Sequence, residues 1–148
     1  MSATDDEFQT FDNEFYPTGP TLARRALNKF KEQKISRLLE PEAGRGDILD
    51  VMKDMDRFRH RMPTIECIEI DLANQAILRA KGYRVVGSDF LTYRGASLYS
   101  HIVMNPPFSS GARHVLRAWD LMFSGEIVAI INAQSIKNPK SAEKKLLC

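Results

Sequence analysis

The sequence predicts a Rossmann-like α/β fold, a doubly wound and mostly parallel sheet of about five strands with helices on both faces. Three observations predict it. Short apolar runs alternate with amphipathic stretches of about ten residues. Glycine or proline follows most of these segments. Polar residues stand after four of the apolar runs, at the positions where the carboxyl ends of parallel strands form ligand sites.

The first elements are a helix, a strand and a second helical stretch. Pro20 in a first turn, followed by apolar residues at helical spacing, predicts an amphipathic helix. The apolar run at residues 35–39 predicts a strand that stops before Pro41. A tight turn follows, and apolar residues then recur at helical spacing, namely Ile48, Val51, Met52, Met55 and Phe58.

The same alternation continues to the end of the pattern. A helix is predicted over residues 72–81, where Gly82 supplies a good end signal, and another over residues 113–123. Strands are predicted over residues 65–70, 83–86, 99–104 and 126–131.

The bulk properties fit one soluble domain. The chain has 148 residues, 43% of them hydrophobic, and no apolar stretch approaches the ~20 residues that a membrane helix needs. The first 14 residues contain five acidic residues and no Lys or Arg, whereas the whole chain has a net charge of +2. We therefore expect residues 1–14 to form a disordered acidic leader and residues 15–148 to form a core whose surplus positive charge suits a nucleic-acid partner. Cys67 and Cys148 form no metal pattern, so a reduced, cytoplasmic chain without a metal is expected.

The first two strand ends carry a glycine turn and a carboxylate. Gly44 and Gly46 allow a ligand to approach the main chain, and Glu40 before them can accept from an ammonium group. Glu69, near the end of the second strand, is placed to bind both hydroxyls of a ribose. A plain tight turn and a solvated charge are the alternative interpretations, and Asp71 is a candidate cap for the following helix.

The third and fourth strand ends add an acid and a rigid corner. Asp89 is a candidate acceptor for the amine of an adenine ring, with Phe90 packing on that ring; a polar turn is the alternative. Asn105 is followed by Pro106, Pro107 and Phe108, and two prolines fix the backbone and remove two N–H donors. The result is an acceptor-rich pocket with an aromatic wall.

This corner suits an amine whose lone pair is delocalised, such as adenine N6. The Asn105 side-chain oxygen and the Pro106 carbonyl would accept hydrogen bonds from its two hydrogens. These bonds would strengthen as positive charge builds on nitrogen. Phe108 would stack on the ring. No strong general base is evident, because His101 is expected in or beside a strand and His114 on a helix surface.

In this order and spacing, the residues resemble the class I S-adenosylmethionine-dependent methyltransferases, in the branch that methylates adenine N6 in DNA. The resemblance covers about residues 15–132 and includes the segment Phe15, Tyr16, Pro17 and Thr18 before the glycine loop. It implies S-adenosylmethionine as cofactor, DNA as partner, and a target base flipped out of its helix. The catalytic residues that it implies are Asn105, Pro106, Pro107 and Phe108. The cofactor-binding residues that it implies are Tyr16, Thr18, Glu40, Ala43, Gly44, Gly46, Glu69, Asp89, Phe90 and Asn105.

Two departures leave alternatives open. The family's sheet closes with a hairpin, whereas only 17 polar, Lys-rich residues follow Ile131 here, so the core is expected to be truncated or completed by a protein partner or a second copy. Glu42 stands where the family often has a small polar residue. RNA-adenine and protein-glutamine methyltransferases also use Asn-Pro-Pro before an aromatic, and a non-catalytic remnant that binds cofactor or a partner is the remaining alternative.

Overall fold

The computed structural model describes residues 18–32, 34–95, 99–107 and 111–130. The helices are α1 (Pro20–Asn28), α2 (Asp47–Asp54), α3 (Asp56–Arg59), α4 (Leu72–Ala80) and α5 (Gly111–Leu121), with a 3-10 turn at Phe90–Thr92. The strands are β1 (Arg37–Glu40), β2 (Thr64–Ile68), β3 (Arg84–Gly87), β4 (Tyr99–Met104) and β5 (Met122–Ala129). All described strand pairs are parallel and the order is β3-β2-β1-β4-β5, which confirms the predicted doubly wound fold.

Two apolar clusters cover the two faces of the sheet. Successive strand residues point to opposite faces, so Leu38 joins the cluster under α1, α2 and α4, whereas Leu39 joins the cluster under α5. Cys67 lies in the first cluster as a buried free thiol, as expected for a core strand. Because both faces are covered, the strands form the middle layer of three, and their carboxyl ends open at one edge.

Most boundaries differ from the predicted ones by one or two residues, and two larger differences have identifiable reasons. The helical run predicted through Phe58 breaks at Met55, which is extended and buried, so the apolar spacing continues across two short helices. β5 begins directly after α5, earlier than predicted, because Gly125 lets it lie against β4. A Cβ atom at Gly125, whose φ is 133°, would overlap the carbonyl oxygen of Ser100. Among the described helices, none has the length and apolar character needed to cross a membrane.

A cluster of charged residues lies away from the glycine loop, within β4 and β5 and the loop after α1. His101, confirmed inside β4, is buried, and its Nε2 lies 3.1 Å from Glu126 Oε2 and 3.2 Å from Glu32 Oε1. Both oxygens of Glu126 also accept backbone N–H groups, from Lys31 at 2.8 Å and Glu32 at 3.0 Å. This set has the ligand types of a metal site, but both oxygens of Glu126 already accept from the loop after α1. The prediction of no metal stays a prediction.

We expect Glu126→Gln to destabilise the protein at neutral pH by about 1.5–3 kcal/mol, the loss typical of a hydrogen bond to a charged group. Partial burial pushes the pKa of Glu126 up, but the two backbone N–H groups and His101 outweigh it and hold the pKa below 4.5. A lowered pKa contributes stability above pH 4.5 that is lost as the pH falls through the folded-state value. Denaturant unfolding at pH 7 and near pH 3 measures this. An equal difference in the free energy of unfolding between variant and wild type at both pH values would contradict this expectation.

Candidate active site

One cavity of about 810 Å³ opens at the carboxyl ends of the strands. It is lined from the ends of β1, β2, β3 and β4, so the topology brings the four polar strand ends together, as the fold predicts. Tyr16 and Phe108 lie outside the described residues. Gly46 and Pro106 are buried next to the cavity without lining it. The predicted residues that line it are Thr18, Glu40, Ala43, Gly44, Glu69, Asp89, Phe90, Asn105 and Pro107.

The loop between β1 and α2 has the shape of a ligand cradle. Gly44 and Gly46 take positive φ values of 60° and 89°, which side chains disfavour. A Cβ atom on Gly46 would also come within 3.0 Å of Leu78. The N–H of Ala43 donates to the Ile68 carbonyl at 3.0 Å, which ties the loop to β2. The backbone of the loop is therefore held close to the cavity.

Glu40, the last residue of β1, is a buried acid with an unsatisfied oxygen. Only 2% of its surface is exposed, and its Oε1 has no hydrogen-bond partner among the described residues. Burial raises its pKa well above 4.5, and repulsion from Asp47, then Glu69 and Glu42, raises the pKa further. A buried carboxyl group in this position is suited to a cationic ligand, which would restore its charge.

Glu69 connects the end of β2 to the glycine loop. Its Oε1 accepts the N–H of Gly44 at 2.6 Å, and its Oε2 accepts the N–H of Asp71 at 2.8 Å. A carboxylate can accept about four hydrogen bonds, so capacity for ligand hydroxyls remains. Asp71 caps α4 by accepting from the N–H of Asn74 at 2.9 Å, which confirms the predicted cap.

Asp89 and Phe90 follow β3 at the rim and floor of the cavity. Asp89 is exposed, and its Oδ1 accepts the N–H of Leu91 at 3.0 Å, so it also caps the 3-10 turn. Phe90 is 3% exposed and belongs to the core cluster under α5 while lining the cavity. Asp89 can therefore both stabilise the polar turn and accept a hydrogen bond from a ligand in the cavity.

The corner after β4 faces the same cavity as the glycine loop. Asn105 and Pro107 line it, and Pro106 is buried between them. The Asn105 side-chain nitrogen donates to the Thr18 hydroxyl at 3.0 Å. Thr18 is 9% exposed and stands just before α1, so this bond fixes the amide from the side of the first helix.

The sequence interpretation of His114 was wrong, and a contact with Glu42 was missed. His114 is 8% exposed and lines the cavity, and its Nδ1 lies in contact with Glu42 Oε2, a pair that is ionic when the ring is protonated. A signal for its burial was present. His114 shares the spacing of the buried residues of α5, which are Gly111, His114, Val115, Ala118 and Leu121.

The cavity is strongly acidic. Six carboxylate residues line it, against Arg45 and His114 as the basic ones among the described residues. Such a lining favours a ligand that carries positive charge. The carboxylates are Glu40, Glu42, Asp47, Glu69, Asp71 and Asp89.

No protein-family model and no curated protein matches the chain. Among solved structures, however, its fold is that of known methyltransferases. It is similar to TrmN from Thermus thermophilus, with 19% identity, a TM-score of 0.62, and 86% of this chain and 41% of TrmN covered. It is also similar to a putative RNA methyltransferase, PH1948 from Pyrococcus horikoshii, with 18% identity, a TM-score of 0.62, and coverages of 88% and 67%.

A third similar structure contains the cofactor. It is SAM-bound CalS10 from Micromonospora echinaspora, an amino pentose methyltransferase involved in calicheamicin biosynthesis. The identity is 16%, the TM-score is 0.51, and 82% of this chain is covered. The chain spans about half the length of CalS10, at 52%. At these identities the likeness establishes the fold.

Proposed function

We propose that this chain transfers a methyl group from S-adenosylmethionine to an exocyclic amine, adenine N6 in DNA. The observation that carries the proposal is that the glycine loop and the Asn105–Pro107 corner line the same cavity. A cofactor held by the loop and an amine held by the corner would meet there.

The residues present fit the cofactor. S-adenosylmethionine carries a sulfonium, an ammonium and a carboxylate, and so a net positive charge that suits the acidic lining. Glu40 would accept from the ammonium, Glu69 from the ribose hydroxyls and Asp89 from the adenine amine. When bound, the cofactor supplies an electrophilic methyl group on its sulfonium. It is present in CalS10, which shares the fold.

The corner would prepare the amine. The Asn105 oxygen and the Pro106 carbonyl would accept its two N–H groups, which favours a tetrahedral nitrogen with an available lone pair. These bonds strengthen as the nitrogen becomes positive, so they lower the barrier rather than merely hold the substrate. The bond from Asn105 to Thr18 holds the amide in place and supports this role.

Two features favour a nucleic acid. The chain beyond the acidic leader has a surplus of basic residues, and many are exposed on α1 and on the stretch from α2 to the start of β2. Because α1 starts beside the cavity at Thr18, Arg24 and Arg25 on this helix would contact phosphates near the mouth. Other exposed cations, which include Lys29, Lys53, Arg59 and Arg61, lie at or after the far ends of α1 and α2.

A methylation assay with labelled cofactor on DNA, RNA and protein tests the proposal. Label recovered as N6-methyladenine in DNA supports it. Label confined to RNA or protein would keep the chemistry and change the substrate. Calorimetric binding of S-adenosylmethionine without transfer to any polymer would favour a non-catalytic remnant.

We expect Asp89→Ala to weaken cofactor binding by roughly 1–3 kcal/mol, the range for a lost buried or charged hydrogen bond. Calorimetry measures the affinity. Because Asp89 also caps the 3-10 turn, Asp89→Ser is the matched variant, since serine keeps a capping oxygen but not the charge. Unchanged affinity in both variants would remove Asp89 from the cofactor site. A loss in Asp89→Ala alone would assign it to the cap.

A further inference from the structure

The Glu42–His114 pair bridges the two halves of the cavity. Glu42 belongs to the glycine loop, and His114 belongs to α5, the helix that follows the Asn105–Pro107 corner. Both side chains line the cavity, and the histidine is almost fully buried. The pair therefore lies where a bound cofactor and a bound amine would be neighbours.

Fold stability does not account for the pair. Burial raises the pKa of Glu42, while His114 lowers it and Glu69 and Asp89 raise it again, so the carboxyl group lies in an unfavourable environment. Glu42 Oε1 is buried without a hydrogen-bond partner among the described residues. Buried ion pairs seldom add net stability, and perturbed acids in a cleft concentrate at functional sites.

Methyl transfer creates a need that this pair can meet. The S–CH3 bond breaks with its electrons staying on sulfur, and the nitrogen lone pair forms the new N–CH3 bond. Positive charge builds on the nitrogen as this bond forms, and transfer of one of its protons to a base in the same step relieves that charge and leaves a secondary amine. The acceptors at Asn105 and Pro106 are amide oxygens, which hold a hydrogen but are too weakly basic to take it.

We propose that His114 takes this proton at Nε2, while Glu42 holds Nδ1 and stabilises the imidazolium. The inference rests on the proposed methyl transfer and adds a catalytic residue, His114, and a positioning residue, Glu42. Because Nδ1 contacts Glu42, the incoming proton would go to the other ring nitrogen, Nε2. Carboxylates from three strand ends line the same cavity as His114, namely Glu42 after β1, Glu69 after β2 and Asp89 after β3.

Single-turnover methyl transfer at saturating cofactor, followed from pH 5.5 to 8.5, tests the inference. The wild-type rate should fall towards acidic pH as the base becomes protonated. His114→Gln should be roughly 10- to 100-fold slower near neutral pH, the lower part of the range for general-base catalysis, and should lose the acid-side fall. In Glu42→Gln the fall should move to lower pH, because the imidazolium has lost its anionic partner. His60→Gln, which changes an exposed histidine, should match the wild type.

Two further measurements do not depend on turnover. The affinity for S-adenosylhomocysteine, measured by calorimetry, should change by no more than about twofold in His114→Gln. Nitrogen NMR of the imidazole rings should show the His114 signals moving in Glu42→Gln, with those of His60 in place.

Each contrary outcome has a distinct meaning. A His114→Gln rate and pH profile equal to wild type would overturn the inference while leaving the methyl transfer intact. If His114→Gln loses affinity for S-adenosylhomocysteine and rate by the same factor, His114 is a binding residue, and the inference is overturned as well. No transfer by the wild type to any polymer would overturn the proposed function and, with it, this step. If His114→Gln does not fold, the Glu42→Gln profile decides: an unshifted profile contradicts the inference.

Discussion

Asn105→Ala should reduce methyl transfer roughly a hundredfold or more, the effect of removing one preorganised group that stabilises developing charge. Cofactor affinity should stay nearly unchanged, because most groups that would hold the cofactor, the glycine loop and the acids, lie at the ends of other strands. A drop in kcat without a change in cofactor binding identifies an interaction made mainly in the transition state. Single-turnover rates and calorimetry measure the two quantities.

Two controls make this result specific. Thr18→Val removes the hydroxyl that accepts from the Asn105 side chain, so it should cause a smaller loss through poorer positioning. Asn28→Ala changes an exposed amide at the end of α1 and should leave the rate unchanged. If Asn105→Ala loses cofactor affinity and rate together, or unfolds at a lower denaturant concentration, the residue has a structural role instead.

Glu40→Gln should weaken cofactor binding more than tenfold and yet stabilise the protein. Replacing the acid removes the charge that would meet the ammonium, and charged hydrogen bonds contribute about 1.5–3 kcal/mol. The folded-state pKa of Glu40 is raised, so the folded protein holds a proton that the unfolded chain releases above pH 4.5. The free energy of unfolding of the wild type therefore falls as the pH rises from 4.5 towards the folded-state pKa. In Glu40→Gln, the free energy of unfolding should not show this fall.

The same pKa predicts proton release on binding. Below its raised pKa, Glu40 must lose its proton to pair with the ammonium, so cofactor affinity should rise with pH. Calorimetry in two buffers of different ionisation enthalpy counts the released protons. The wild type should release protons that Glu40→Gln does not, and Asp54→Asn, an exposed acid at the end of α2, should behave as wild type. Equal proton release in wild type and Glu40→Gln would contradict the assignment.

The fold was predictable because its signals are local. Apolar periodicity distinguishes helix from strand, and the alternation of the two requires parallel pairing. The boundaries that moved depend on contacts between distant segments. β5 begins early because Gly125 passes against the Ser100 carbonyl of β4, and no local signal near Gly125 indicates that neighbour.

The site was predictable to the extent that it follows from topology. Parallel strands end at one edge, so Glu40, Glu69, Asp89 and Asn105 had to lie near one another. The Glu42–His114 contact does not follow from topology. It depends on the rotation of α5 about its axis. The apolar spacing of the helix indicates this rotation, but it does not indicate which residue lies across the cavity.

A crystal structure with a bisubstrate analogue, in which adenosine N6 is joined to the sulfur position of the cofactor, tests the central claim most directly. We expect the amino-acid end of the analogue to lie at Glu40 and the glycine loop. Its N6 nitrogen should lie within hydrogen-bond distance of the Asn105 oxygen and the Pro106 carbonyl. An analogue bound with its N6 nitrogen directed away from Asn105, or bound outside this cavity, would contradict the account.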